Sequence, residues 1–176
     1  MYDISILELV EVEKEWNYIL WGIENKIVNM DSFIKYVQIY IASSSNLDIP
    51  ELIELAWGRH SIDETVELLK IASKSRVSSL SLDYNGYEAR VWLYSILSYE
   101  MGKLKSISKF LDRVEEIYAD FDYPIEIEGF VRYMPPVESE YIKNNSKEES
   151  EEKMYEYSKK FLENEKENLR KIIGRL

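Results

Sequence analysis

Apolar residues recur along most of this chain at spacings of three and four, the repeat that gathers side chains on one face of an α-helix. Trp16, Ile19, Leu20 and Ile23 share such a face and predict a helix over 13–24, with Gly22 near its end as a cap or a point of close packing. Asp31 is placed to cap a second helix through Ile34, Val37 and Ile41, which the serine run at 43–46 ends. Pro50 suits the first turn of a short helix through Leu52, Leu55, Ala56 and Trp57, closed by Gly58. Ser61 with Glu64 forms a capping-box pattern and opens a fourth helix along Val66, Leu69 and Ala72. Trp21-Gly22 before Asp31, and Trp57-Gly58 before Ser61, repeat one sequence of helix end, turn and capped helix.

The serine-rich stretch 73–86 reads as a long connection. Residues 88–101 are apolar nearly all round, through Val91, Trp92, Leu93, Ile96 and Leu97, which marks a central helix enclosed by others. After Gly102, the stripe Leu104, Ile107, Leu111, Val114, Tyr118 and Phe121 predicts a helix with Asp112, Glu115 and Glu116 off its apolar face. Pro124 drives Tyr123 out of the helical region, so this helix stops near 120–122. A last helix covers 150–173, with Met154, Tyr157, Phe161, Leu162 and Leu169 inward. Two stretches lack the helical repeat. Residues 1–12 suit a short strand or an irregular lead-in, and IEIEGFVRYM alternates, predicting a short extended segment near 125–134. Polar residues 137–149 read as a mobile surface loop. The expected fold is predominantly all-α: a single-domain bundle of about six to seven helices over 1–176.

A chain of 176 residues is long enough for one sizeable core and short for two domains. Thirty-three acids against 22 bases leave a net charge of -11, which excludes a basic nucleic-acid surface and disfavours anionic membranes. Cysteine is absent, so disulfides and thiolate chemistry are excluded. The N-terminus carries acids where a secretory signal needs positive charge, and no apolar run is long enough to span a bilayer. The expectation is a soluble, cytoplasmic protein.

The charge is not evenly spread. From 147 onward eight acids face eight bases, so the surplus belongs to 1–146, where 25 acids face 14 bases. Between 112 and 128 seven acids accompany Arg113 alone. Such crowding costs self-repulsion unless something cationic meets it. Glu115, Glu116, Asp120, Asp122, Glu126 and Glu128 are therefore the candidate partner-binding residues, with a merely solvated acidic face as the alternative. Chemistry of other kinds has little to stand on. His60 is the one histidine, in a turn between helices, and neither a zinc site nor a Ser-His triad forms around it. No glycine-rich phosphate loop occurs. No catalytic residue, metal ligand or cofactor is assigned, and the chain does not read as an enzyme. Glu126 and Glu128 two apart would be the carboxylate pair of a hydrolase, a third reading. Most of the 14 tyrosines and four tryptophans have core spacing.

Trp16 and Trp21-Gly22, then Trp92-Leu93-Tyr94, then VEEIYADFDYPIEIEGFVRYMPP, together resemble an uncharacterised bacterial family known as a domain of unknown function. The likeness covers most of the chain and is most specific at Tyr118 to Pro124 followed by Phe130 to Pro135. Proteins of this kind look like immunity proteins of polymorphic or contact-dependent growth inhibition toxin systems. The resemblance implies a cytoplasmic antitoxin-like inhibitor that binds a cognate toxin, with a nuclease cleft as the basic surface to be occluded. A helical scaffold or adaptor without a toxin is the alternative.

Overall fold

The computed structural model describes residues 1–43, 49–74, 86–134 and 146–173. Among these the fold is all-α: α1 Ser5–Leu9, α2 Trp16–Glu24, α3 Met30–Ser43, α4 Pro50–Trp57, α5 Ile62–Lys74, α6 Glu88–Lys103, α7 Ile107–Asp120, a 3-10 helix Ile125–Phe130, and α8 Lys147–Ile173. None of these helices is long and apolar enough to cross a membrane. The tertiary contacts gather into two compact units, Met1–Trp92 and Leu93–Leu176, divided within α6. That helix is buried on every face, as its all-round apolar sequence predicted, with Val91, Trp92, Ile96 and Leu97 at 1 % exposure or less.

In the first unit α4 packs on α3 and α5, and α2 on α5. The lead-in is not a strand but a short helix set in irregular chain. Its middle is α1, and Tyr2 makes a single parallel bridge to Val28, donating to the Ile27 carbonyl at 2.6 Å and accepting from the Asn29 amide at 2.8 Å. One bridge suffices because the tyrosine ring buries beside it while the flanking chain turns helical. Gly22 turns out to be a packing glycine inside α2. A methyl group there would sit 2.5 Å from Val28 Cγ2 and 3.0 Å from Trp92 Nε1. Trp92 in turn donates to the Tyr18 carbonyl at 2.8 Å, so its indole ring lies directly on the backbone of α2. The cap of α3 is Asn29 rather than Asp31: its Oδ1 accepts from the Ser32 amide at 3.1 Å. At α5 the capping box forms as predicted, the Ser61 amide donating to Glu64 at 2.8 Å and the Glu64 amide to Ser61 Oγ at 3.3 Å. His60 folds back over Gly58 to the last turn of α4, its Nε2 lying 3.2 Å from the Glu54 carbonyl oxygen. A side chain on Gly58 would collide with that ring.

In the second unit α8 packs on α7 and on the 3-10 helix. The buried stripe of α7 is Phe110, Leu111, Val114, Ile117 and Tyr118, and Phe110 meets Tyr155 of α8 edge-on with centroids 5.5 Å apart. The expected extended segment near 125–134 is a correction: it winds into the 3-10 helix. Alternation put Ile127 and Glu128 on opposite faces, yet three residues per turn bring Ile127 and Phe130 inward together, and Phe130 packs 5.5 Å from Phe161. Helix α8 starts earlier than predicted because Ser146 and Glu149 form a second capping box, so 147–149 belong to the helix, with Ser146 as its cap, and not to the 137–149 loop. The loops expected at 43–46, 73–86 and 137–149 otherwise fall largely outside the described residues.

Three helices end alike. The amides of Val12, Ile27 and Tyr123 donate five residues back, to Leu7, Gly22 and Tyr118, at 2.7, 2.7 and 2.8 Å. The residue before each, Glu11, Lys26 and Asp122, donates three back and has φ of 65°, 57° and 57°. These are Schellman closures, made three times without glycine at the left-handed position.

Gly22→Ala is expected to destabilise the protein by up to about 2 kcal/mol, because overpacking of about 1–3 kcal/mol outweighs about 1 kcal/mol of helix propensity. Adding Val28→Ala should recover part of that loss in a double-mutant cycle read by urea denaturation with tryptophan emission. Hydrogen bonds from the Ser61 amide and hydroxyl hold the Glu64 carboxyl below its ordinary value of 4.5. Its contribution is then complete above pH 4.5 and lost as pH falls through the lower folded value. Glu64→Ala should therefore lower the urea midpoint at pH 7 and converge on the parent toward pH 3.

Candidate functional site: the acidic bend after helix α7

Arg132 follows the 3-10 helix and reaches back across α7 to α8. Its Nε donates to Glu151 at 2.9 Å, one terminal nitrogen to Asp112 at 2.8 Å and Glu115 at 3.1 Å, and the other to the Ser108 carbonyl and hydroxyl at 2.7 and 3.1 Å. Ser108, Asp112 and Glu115 recur at four and three along α7, so one face of the helix delivers all of them. Burial works to lower the Arg132 pKa, but the bonds to Asp112 and Glu115 and the charge of Glu151 outweigh it, and the shift is upward. The guanidinium thus stays charged under all ordinary conditions. Arg113 similarly bonds Glu116 on its own helix and lies 3.4 Å from the buried Glu100.

The six candidate acids therefore divide. Glu115 is half-buried and held by Arg132; Glu116 is exposed and held by Arg113. Glu128 is half-buried and accepts from the Tyr118 hydroxyl at 3.1 Å. Burial and then this bond raise the Tyr118 hydroxyl above its ordinary 10.0. Asp120, Asp122 and Glu126 are exposed, and Asp122 and Glu126 have no ion-pair partner among the described residues. So the six acids do not form one uncompensated patch: Asp122 and Glu126 are the two that stand unpaired in solvent among the described residues.

Three residues at the same bend escaped the sequence reading. Tyr123, Ile125 and Tyr133 are 58 %, 75 % and 60 % exposed. The rings of Tyr123 and Tyr133 lie 5.2 and 6.3 Å from that of Tyr118, which is itself 2 % exposed. Their signal in the sequence was negative: they follow the last stripe residue of α7 and have no helical partners. A separate hollow of about 490 Å³ in the first unit is lined by Glu8, Glu11, Glu13, Lys14 and Tyr36. Lys14 already neutralises Glu8 there at 2.6 Å. Burial beside that hollow pushes the Tyr36 hydroxyl up to about 12. Among the described residues no group of three or more His, Asp or Glu side chains is arranged to hold a metal ion.

Residues 4–166 match the family described as an uncharacterized protein conserved in bacteria (DUF2247). The chain belongs to that family. The match spans α7, the bend and most of α8. No curated protein and no solved structure matches this DUF2247 member.

Arg132→Met should leave Glu151, only 12 % exposed, with the distant Lys147 at 3.9 Å as its remaining ion-pair partner and cost about 2–3 kcal/mol, read by urea denaturation with circular dichroism. Arg132→Lys should recover little of this, since an ammonium has three donors for five acceptors. Asp112→Asn, at a side chain 62 % exposed, should cost under about 1 kcal/mol.

Proposed function

We propose that this protein is an immunity protein that neutralises a cognate bacterial toxin, a nuclease by preference, by docking over its basic cleft and excluding substrate. The observation that supports the reading is the residue of charge left at the bend: Arg132 and Arg113 engage Glu115 and Glu116, yet Asp122 and Glu126 stand in solvent with no ion-pair partner among the described residues. Carboxylates so placed contribute nothing to folding that the structure reveals. Opposite lysine and arginine they steer association toward about 10⁸ M⁻¹s⁻¹ at low salt. The resemblance to immunity proteins motivates the reading. A scaffold role has one observation in its favour, Ile53 and Trp57 exposed four apart on α4 of the first unit.

The test is genetic and then kinetic. Co-expression with the toxin domain encoded beside this chain's gene should restore growth, and failure to restore it rejects the reading. The charge-neutral variant Asp120→Asn, Asp122→Asn, Glu126→Gln should bind that domain at least tenfold more slowly at low salt, with a flatter salt dependence. Asparagine keeps the left-handed backbone at 122. An unchanged rate and slope would remove the bend from the contact while leaving growth rescue to be explained by another face.

A further inference from the structure

Of the three Schellman closures, two hide the residue that completes them and one displays it. Val12 and Ile27 are 5 % and 4 % exposed, whereas Tyr123 in the equivalent place is 58 % exposed. The ring stays rigid nonetheless. Its packing against Tyr118 is the contact that such a closure makes between its first and last residues, and Tyr118 is pinned by its bond to Glu128. Tyr123 also carries φ of 62° directly after Asp122, two successive left-handed residues that cost about 1–2 kcal/mol each, followed by a proline that stiffens the exit. Folding gains nothing from lifting Tyr123, Ile125 and Tyr133 into water on this strained backbone. A preorganised apolar platform with large rigid rings is what a partner's pocket recognises.

The rim decides which partner. A second copy of this chain would set Asp122 and Glu126 against their own kind, and like charges at a desolvated contact are repulsive. Phosphate surfaces fail for the same reason. We infer that Tyr123, Ile125 and Tyr133 are the anchors of the interface, seated in a protein groove with an apolar floor between lysine or arginine side chains. The chemistry of the partner follows from the bend; that the partner is a toxin rests on the function proposed above. In this division of labour the carboxylates govern association and the anchors govern dissociation.

The probe is the capped tetrapeptide arginine-leucine-leucine-arginine, titrated into the full chain and followed by ¹H–¹⁵N spectra. Saturable shifts should concentrate at residues 118–134. They should be absent with the glutamate-leucine-leucine-glutamate peptide and weaker at least fivefold with arginine-glycine-glycine-arginine. Ile125→Ser with Tyr133→Ala, both at exposed positions that leave the fold intact, should weaken binding at least fivefold. Shifts elsewhere, or binding indifferent to this double variant, would overturn the inference. The two proposals fail separately. Peptide binding here by a chain that rescues no toxin-producing cell sinks the toxin alone, and a toxin released at the parent's rate by the double variant sinks the anchors alone.

Discussion

Five N–H groups on the Arg132 guanidinium meet five acceptors contributed by Ser108, Asp112, Glu115 and Glu151. Without that fork α7 would carry Asp112 and Glu115 uncompensated next to the acidic start of α8, and the chain leaving the 3-10 helix would have no reason to return along α7. The bonds are unequal in value. Asp112 is mostly in water and contributes little, while Glu151 is almost enclosed and would be costly if left alone. What the fork secures is position: it fixes where the 3-10 helix ends and therefore where Tyr133 emerges.

The same fork changes the meaning of the acidic run. In the sequence Glu115 and Asp122 are equivalent carboxylates; in the structure one belongs to the fold and the other does not. The distinction lies in where each sits relative to residue 132: Glu115 is on the face of α7 that Arg132 reaches, and Asp122 lies past the end of that helix. Net charge over a window sums both kinds and overstates what a partner would meet. Only a cation arriving from elsewhere in the chain separates them.

Regular features were legible because they are local. Helix faces, the Pro50 start, the Ser61–Glu64 box and the all-round burial of α6 follow from spacings within four residues. Three things were not. The helix stops at Glu11, Lys26 and Asp122 lacked the glycine that advertises a left-handed residue, because tertiary packing of Val12 and Ile27 supports those turns from outside. Asp31 looked a better cap than Asn29, yet Asn29 was already anchored by its amide bond to Tyr2. Alternation at 125–134 mimicked a strand because six residues are too few to distinguish a period of two from a period of three. The exposure of Tyr123, Ile125 and Tyr133 was hidden for a related reason: a large apolar residue without a periodic partner is silent about burial.

Taken together, the bend couples two costs that folding alone does not repay, left-handed backbone at two consecutive bulky or charged residues and apolar area held in water. Each would relax by simple means, a glycine at 122 or a shorter side chain at 123. That Tyr118 is placed to brace both rings, and that Glu128 is placed to brace Tyr118, ties the costs to one geometry. A surface meant only to remain soluble needs charge, which Asp122 and Glu126 supply, and has no use for a braced platform between them. The combination is what a recognition surface requires: rings held rigid before contact, so that little ordering entropy is lost on docking, and charge at the rim to guide a cationic partner onto them.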